Sequence, residues 1–195
     1  MAAGSKTDLR SKLLAARRKV PDAIRRSEAK QLCGHLERTL AGARTICAYH
    51  PVRPEPGSPE MLDVLTELCE TVLLPVVRIG NDGAHLPLQW GRYRRGRLAA
   101  GPFGLREPEG PRLPAAAVAQ AQVVLVPAVA VDRTGARLGR GGGFYDRSLP
   151  MCAPGTRLVA VVRDSELLET LPCDPHDVRM THALTPGGGL IPLGE

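Results

Sequence analysis

The apolar run QVVLVPAVAV at residues 122–131 delivers the chain without a break into DRTGARLGRGGGFYD at 132–146. No other junction restricts the fold as much. A stretch this apolar reads as a buried strand, so the segment that follows leaves from the strand's carboxyl end, where ligands collect in α/β sheets. Gly139, Gly141, Gly142 and Gly143 let successive backbone N–H groups point to one side, making a concave anion site that side chains would obstruct. Arg137 and Arg140, threaded among them, add charge and forked donors suited to phosphate oxygens.

Three familiar phosphate loops are excluded. No Lys-Ser or Lys-Thr follows the last glycine, as a Walker A loop requires. A dinucleotide fingerprint needs glycine where GRGGGF places Phe144, and no ribose-binding acid follows at the expected distance. A kinase would carry HRD-like and DFG-like segments, and the chain has neither. A phosphate cradle of another type remains, with Asp132 and Asp146 as candidate Mg²⁺ ligands, since that hard cation takes oxygen donors and shares substrate phosphates.

Around this loop the pattern alternates. A helix over 7–19 places Leu9, Leu13 and Leu14 on one face while Lys6, Arg10, Arg17 and Arg18 project elsewhere. A second helix, 22–40, carries Ile24, Leu32, Leu36 and Leu40 at near-helical spacing, and residues 44–49 read as a short buried strand. Ser58-Pro59 opens a third helix as cap and first helical residue, burying Leu62, Leu65 and Leu68. A strand at 72–78 leads to an Asp82-Gly83 hairpin, residues 101–116 form a Pro/Gly-rich loop, and strand 122–127 enters the glycine segment. A short helix from Gly143, a strand at 157–162, a short helix at 165–170 and a last strand near 179–185 complete the pattern. Strands alternating with helices predict an α/β fold with a mixed, mostly parallel central sheet covered on both faces. The length of 195 residues suits a single domain, 1–195.

Composition limits the partners. A net charge of +6 favours anionic ligands. Nucleic acid is not expected, because the one dense basic cluster, Arg92 to Arg97, lacks any accompanying nucleic-acid-binding signature. Five widely spaced cysteines without a CxxC pair argue for free thiols in a reducing cytoplasm. The N-terminus has no apolar signal core and no stretch approaches the ~18 apolar residues of a membrane span, so a cytoplasmic protein without a membrane partner is expected.

With these pieces placed, the chain resembles the 5-formyltetrahydrofolate cyclo-ligase family, also called 5,10-methenyltetrahydrofolate synthetases. The resemblance rests on ordered segments: the Lys6-x3-Arg10 helix, AYHPVRPE at 48–55, FGLREP at 103–108, RLGRGGGFYDR at 137–147 and LPCDPHD at 171–177. It implies a three-layer α/β/α sandwich, and an ATP- and Mg²⁺-dependent conversion of 5-formyltetrahydrofolate to 5,10-methenyltetrahydrofolate. The formyl oxygen would attack the γ-phosphate to give an imidate-like phosphorylated intermediate, which the neighbouring folate nitrogen closes with release of phosphate. The folate would carry a polyglutamate tail or none, and a monomer is expected over an oligomer.

Carried over by position, the resemblance assigns ATP to Lys6, Arg10, Arg137, Leu138, Gly139, Arg140, Gly141, Gly142, Gly143, Phe144 and Tyr145. It assigns the folate to His50, Glu55 and Arg140 to Phe144, with Glu55 on the guanidine-like edge of the pterin. Catalytic charge stabilisation falls to Arg137 and Arg140, and Mg²⁺ to Asp146 and Asp177, with Asp132 read as a turn residue. His176 stands beside Asp177, but neighbouring loop residues seldom face one site. The chain departs from the family pattern at Thr181, where an acid is common, and at Glu166, where glutamine is common. Those departures motivate a second reading, an ATP-dependent enzyme for another N-acyl or N-formyl compound.

Overall fold

The structure, a computed structural model, describes residues 5–40, 42–174 and 177–194. Helices α1 (Lys6–Arg18) and α2 (Asp22–Thr39) precede strand β1 (Thr45–Cys47), helix α3 (Glu60–Leu68) and strand β2 (Thr71–Val76). Next come β3 (Gln89–Arg92), β4 (Leu98–Ala100), β5 (Arg106–Pro108), β6 (Val123–Pro127), β7 (Ala130–Asp132), β8 (Arg137–Leu138) and helix α4 (Phe144–Ser148). Strands β9 (Arg157–Val161), β10 (Leu167–Leu168), β11 (His182–Thr185) and β12 (Gly189–Pro192) end the chain.

Seven strands form the central sheet in the order β12-β11-β9-β6-β1-β2-β3. The four inner pairings are parallel and the two outermost, β11 with β12 and β2 with β3, are antiparallel. The sheet is thus mixed and mostly parallel, as the alternation predicts. Residues along each inner strand face opposite sides in turn. Val123 and Leu125 join one core cluster with Leu32, Leu36, Leu62 and Leu65 of α2 and α3, while Val124 and Val126 join the other, with Trp90, Val118 and Leu149. The second cluster is covered by 3₁₀ turns at Ala115–Gln120 and Leu149–Met151 and by the short α4, so this outer layer is thin.

A smaller sheet, β10-β7-β8, seats α1. Leu9, Leu13 and Leu14 pack on Val129, Ala130, Ala136, Leu138 and Leu171. Ser5 caps the helix by accepting the Asp8 N–H at 3.2 Å. The stripe Lys6, Arg10 and Arg17 runs beside the leucines at spacings of four and seven, so docking α1 aims three cations inward.

Several expectations need correction. Arg17 does not project to solvent; it is 1% exposed, because Glu166 awaits it. Ile24 lies on the outer side of α2, half exposed. Ser58 does not cap α3: Pro59 occupies the cap position without a side-chain bond, and the serine hydroxyl serves the Glu60 carboxyl instead. The short helix expected at 165–170 is a single 3₁₀ turn, Asp164–Glu166, followed by β10, since Glu166 turns back to accept the Arg163 N–H at 2.8 Å. The Pro/Gly loop contains β5, paired with β4, and β12 follows β11 after a turn whose Gly187 and Gly188 amides donate to Asp164.

Candidate active site

The glycine segment leaves β8 and closes into α4, with Gly141 at φ +98° and Gly143 at φ +66°. Those values belong to the left-handed region, and a Cβ on Gly143 would also run into the Arg147 guanidinium. Three carbonyls of the loop are already engaged. Arg10 Nε donates to Gly139 O at 2.8 Å, Arg147 Nη1 to Gly143 O at 2.8 Å, and His85 Nδ1 meets Gly142 O at 2.7 Å. A carbonyl can only accept, so His85 carries its proton on Nδ1. Tying these oxygens to donors offsets their repulsion of an anion brought to the loop.

A cavity of about 730 Å³ opens beside the loop. Its walls include every residue assigned above to ATP, folate or metal, from Lys6 on α1 to Asp177 near the C-terminus. The buried Arg137 donates from Nη2 to Asp146 Oδ1 at 2.6 Å and stands over the Tyr145 ring, 5.6 Å from its centroid. Arg140 reaches across to Glu55, Nη2 to Oε1 at 3.2 Å, while Glu55 also accepts the Val52 N–H. Burial pushes the Glu55 carboxyl up from its ordinary value, against the pull of the Val52 amide, Arg140 and Arg17. Lys6 Nζ pairs with Asp174 and Asp177 at 2.6 and 2.9 Å, and those bonds raise its pKa.

Five buried side-chain polar atoms among the described residues find no protein partner: Tyr49 Oη, His50 Nδ1, Arg137 Nε and Nη1, and Tyr145 Oη. All four residues line this cavity. Burial holds the His50 imidazole below its usual pKa and both phenols above theirs. Buried polar groups are nearly always partnered, so this concentration of unpartnered polar atoms in one place marks a candidate binding site.

Sequence reasoning missed several walls. His85 stacks on Phe144 with centroids 4.3 Å apart, and Phe103 meets His85 edge-on at 6.1 Å. Phe103 is 65% exposed and holds φ +58°, a conformation bulky residues rarely adopt. Arg17 also lines the cavity; its guanidinium grips both Glu166 oxygens at 2.7 Å and donates to Ala128 O at 2.6 Å. The FGLREP and AYHPVRPE motifs pointed toward Phe103 and Tyr49 without assigning them a role, whereas nothing local marked His85 or the burial of Arg17.

The acids divide by what already holds them. Asp132 accepts from Thr134 N, Thr134 Oγ1, Ala136 N and Leu171 N within 2.7–2.9 Å, which makes it a turn anchor and removes it as a metal candidate. Asp146 and Asp177 line the cavity, each already paired with a cation. No group of three His, Cys, Asp or Glu side chains suited to a metal occurs among the described residues. This donor set fits a Mg²⁺ that takes one or two carboxylates and completes its shell with phosphates and water, not one caged by protein. His176 lies outside the described residues. Thr181 accepts the Leu158 N–H at 2.9 Å where β9 begins, at the opposite end of the sheet from the glycine loop, and neither it nor Glu166 is on the cavity wall.

No helix among the described residues is long and apolar enough to cross a membrane. The family model for the 5-formyltetrahydrofolate cyclo-ligase family matches residues 2–186. A 5-formyltetrahydrofolate cyclo-ligase of Mycolicibacterium smegmatis is 55% identical over 193 residues, covering 99% of this chain and 100% of its own length. The NMR structure of Aquifex aeolicus 5,10-methenyltetrahydrofolate synthetase superposes with a TM-score of 0.81 at 27% identity, covering 97% of this chain and 93% of that one. A 5,10-methenyltetrahydrofolate synthetase from Mycoplasma pneumoniae, 19% identical, shares the fold with a TM-score of 0.69 over 91% of this chain and 96% of its own.

Proposed function

We propose that this chain, which belongs to the 5-formyltetrahydrofolate cyclo-ligase family, binds ATP and 5-formyltetrahydrofolate side by side in the 730 Å³ cavity and joins their chemistry there. The observation that carries this reading is the set of unpartnered buried polar atoms on Arg137, Tyr145, Tyr49 and His50, all of them residues on the walls of that cavity.

The geometry supports a role for each wall residue. The triphosphate lies on the glycine loop, where Arg137 has Nε and Nη1 free to donate while Asp146 fixes its third nitrogen. Lys6 and Arg10 add charge from α1. Phosphoryl transfer needs positioning and neutralisation more than covalent help, and a buried guanidinium supplies both. Asp146 and Asp177 would hold Mg²⁺, which supplies charge neutralisation on the phosphates when bound. The pterin enters against the Phe144–His85 stack, and Glu55 accepts from its guanidine-like edge.

The formyl oxygen attacks the γ-phosphorus, ADP leaves, and the carbon becomes a phosphorylated imidate. The neighbouring folate N–H then adds to that carbon, its proton passes to the departing phosphate, and the methenyl bridge is left. Arg140, joined to Glu55 at 3.2 Å, stands between the two substrates and can follow charge from the nucleotide to the leaving phosphate. No protein nucleophile is used. The second reading, an enzyme for another acyl compound, is less favoured, because Thr181 is off the cavity wall and Glu166 acts on it only through Arg17.

The test is direct. Purified protein with 5-formyltetrahydrofolate, ATP and Mg²⁺ should develop the near-ultraviolet absorbance of methenyltetrahydrofolate and release ADP one-for-one. Absorbance without ADP release, or neither, overturns the reading.

A further inference from the structure

Tyr49 stands two residues beyond β1, between Ala48 and His50. Its ring belongs to the core cluster under α2 and α3, and the residue is 6% exposed. The residue nevertheless lines the cavity, and its buried hydroxyl has no protein partner. A phenylalanine would fill the same space without the penalty of an unmatched buried hydroxyl. Burial keeps the phenol protonated, so it is a neutral donor.

The surroundings say what it donates to. Glu55, on the same wall, acts electrostatically on Tyr49 and presents an acceptor-only carboxylate. Arg17, its nearby cation, is committed to Glu166, Ala128 and Val129. A neutral donor beside a carboxylate acceptor is the complement of a cyclic amide edge, where a ring N–H adjoins a ring carbonyl. A pterin presents that edge: its N3–H and 2-amino group donate, and the carbonyl next to N3 accepts. Each Glu55 oxygen has a second lone pair, so its bonds to Arg140 and Val52 leave room for those donors.

We infer that Tyr49 is a specificity-determining residue, its hydroxyl donating to the ring carbonyl of the bound pterin beside the N–H edge that Glu55 accepts. The inference rests on the folate reading above. It divides recognition between a charged acceptor and a neutral donor, so a pterin whose ring carbonyl is a thiocarbonyl weakens one contact and keeps the other.

Calorimetric binding without ATP tests it, using 5-formyltetrahydrofolate and the analogue with C=S in place of the ring carbonyl, which keeps the ring N–H but accepts poorly, on the wild type and on Tyr49→Phe. The wild type should prefer the carbonyl compound by about 10-fold, the worth of one hydrogen bond lost with its partner stranded. Tyr49→Phe should lose that preference by weakening only the carbonyl compound, with its melting temperature unchanged or raised. Equal weakening of both ligands, as when the hydroxyl holds only water or wall structure, overturns the inference. So does a wild type that binds both compounds equally, a result that needs no folded variant. A wild type that binds neither refutes the folate reading itself and is thereby distinguished.

Discussion

Arg140 Nη2 lies 3.2 Å from Glu55 Oε1. The pair joins a residue expected at the phosphates to one expected at the pterin, and it spans the cavity from the glycine loop to the segment after β1. Arg140 is half exposed, so its value is to the bound state more than to the fold. Arg140→Ala should lower kcat/KM by at least 10-fold, as expected from loss of about 1.5–3 kcal/mol for a charge-assisted bond. The folate KM should rise as well, because Glu55 loses its orienting partner. Steady-state kinetics with each substrate varied checks both; unaltered constants remove Arg140 from the site.

The Glu55 carboxyl is raised by burial, so acid should affect folate affinity earlier than an ordinary carboxylate would allow. The sign is fixed: protonation removes the acceptor that the pterin's donors need, so the folate KM rises as pH falls through the raised pKa. Glu55→Gln should show a weak KM at every pH and no such inflection. A wild-type profile flat down to the normal carboxylate range contradicts the assignment.

Arg17 and Glu166 form a buried, two-point ion pair. Removing one partner strands a charge, and Glu166→Ala should cost about 3–5 kcal/mol in urea denaturation. Glu166→Gln keeps an acceptor and should cost less. Since Arg17 also holds the carbonyl of Ala128 on the cavity wall, nucleotide or folate binding should weaken in whatever fraction remains folded.

Gly143→Ala combines a left-handed backbone with a collision against Arg147. The backbone contributes about 1–2 kcal/mol. Adding Arg147→Ala should relieve the collision and leave the backbone share, so ATP affinity should recover only in part. Full recovery would show that side-chain contact alone matters there.

Asp146→Asn separates two roles. If Asp146 mainly fixes Arg137, binding of a non-hydrolysable ATP analogue should weaken with and without Mg²⁺ alike. If it holds the metal, the loss should appear only with Mg²⁺. Calorimetric titration under both conditions decides.

The sheet was legible because its signals are local: the apolar run from 122, the Asp82-Gly83 turn and the leucine stripe of α1 each need few neighbours. That run, however, is not one strand to 131 but β6 and β7 in different sheets, with the glycine loop leaving β8. The glycine loop was legible for the same reason. Arg17 was not, since its burial depends on an acid 149 residues away. His85 escaped notice because its site is made by Gly142, 57 residues on, and Tyr49 because a tyrosine after a strand looks like core until its hydroxyl is followed. The helix expected near Ser165 failed because Glu166 bonds to Arg163 and Arg17 in preference to lying along a helix face.

The first helix is held by its leucine seam and by the buried Arg17–Glu166 pair, and it brings Lys6, Arg10 and Arg17 to the cavity. Seating that helix and assembling a competent pocket are therefore a single event. A triphosphate bound as proposed would fasten the amino-terminal arm more firmly to the body of the molecule.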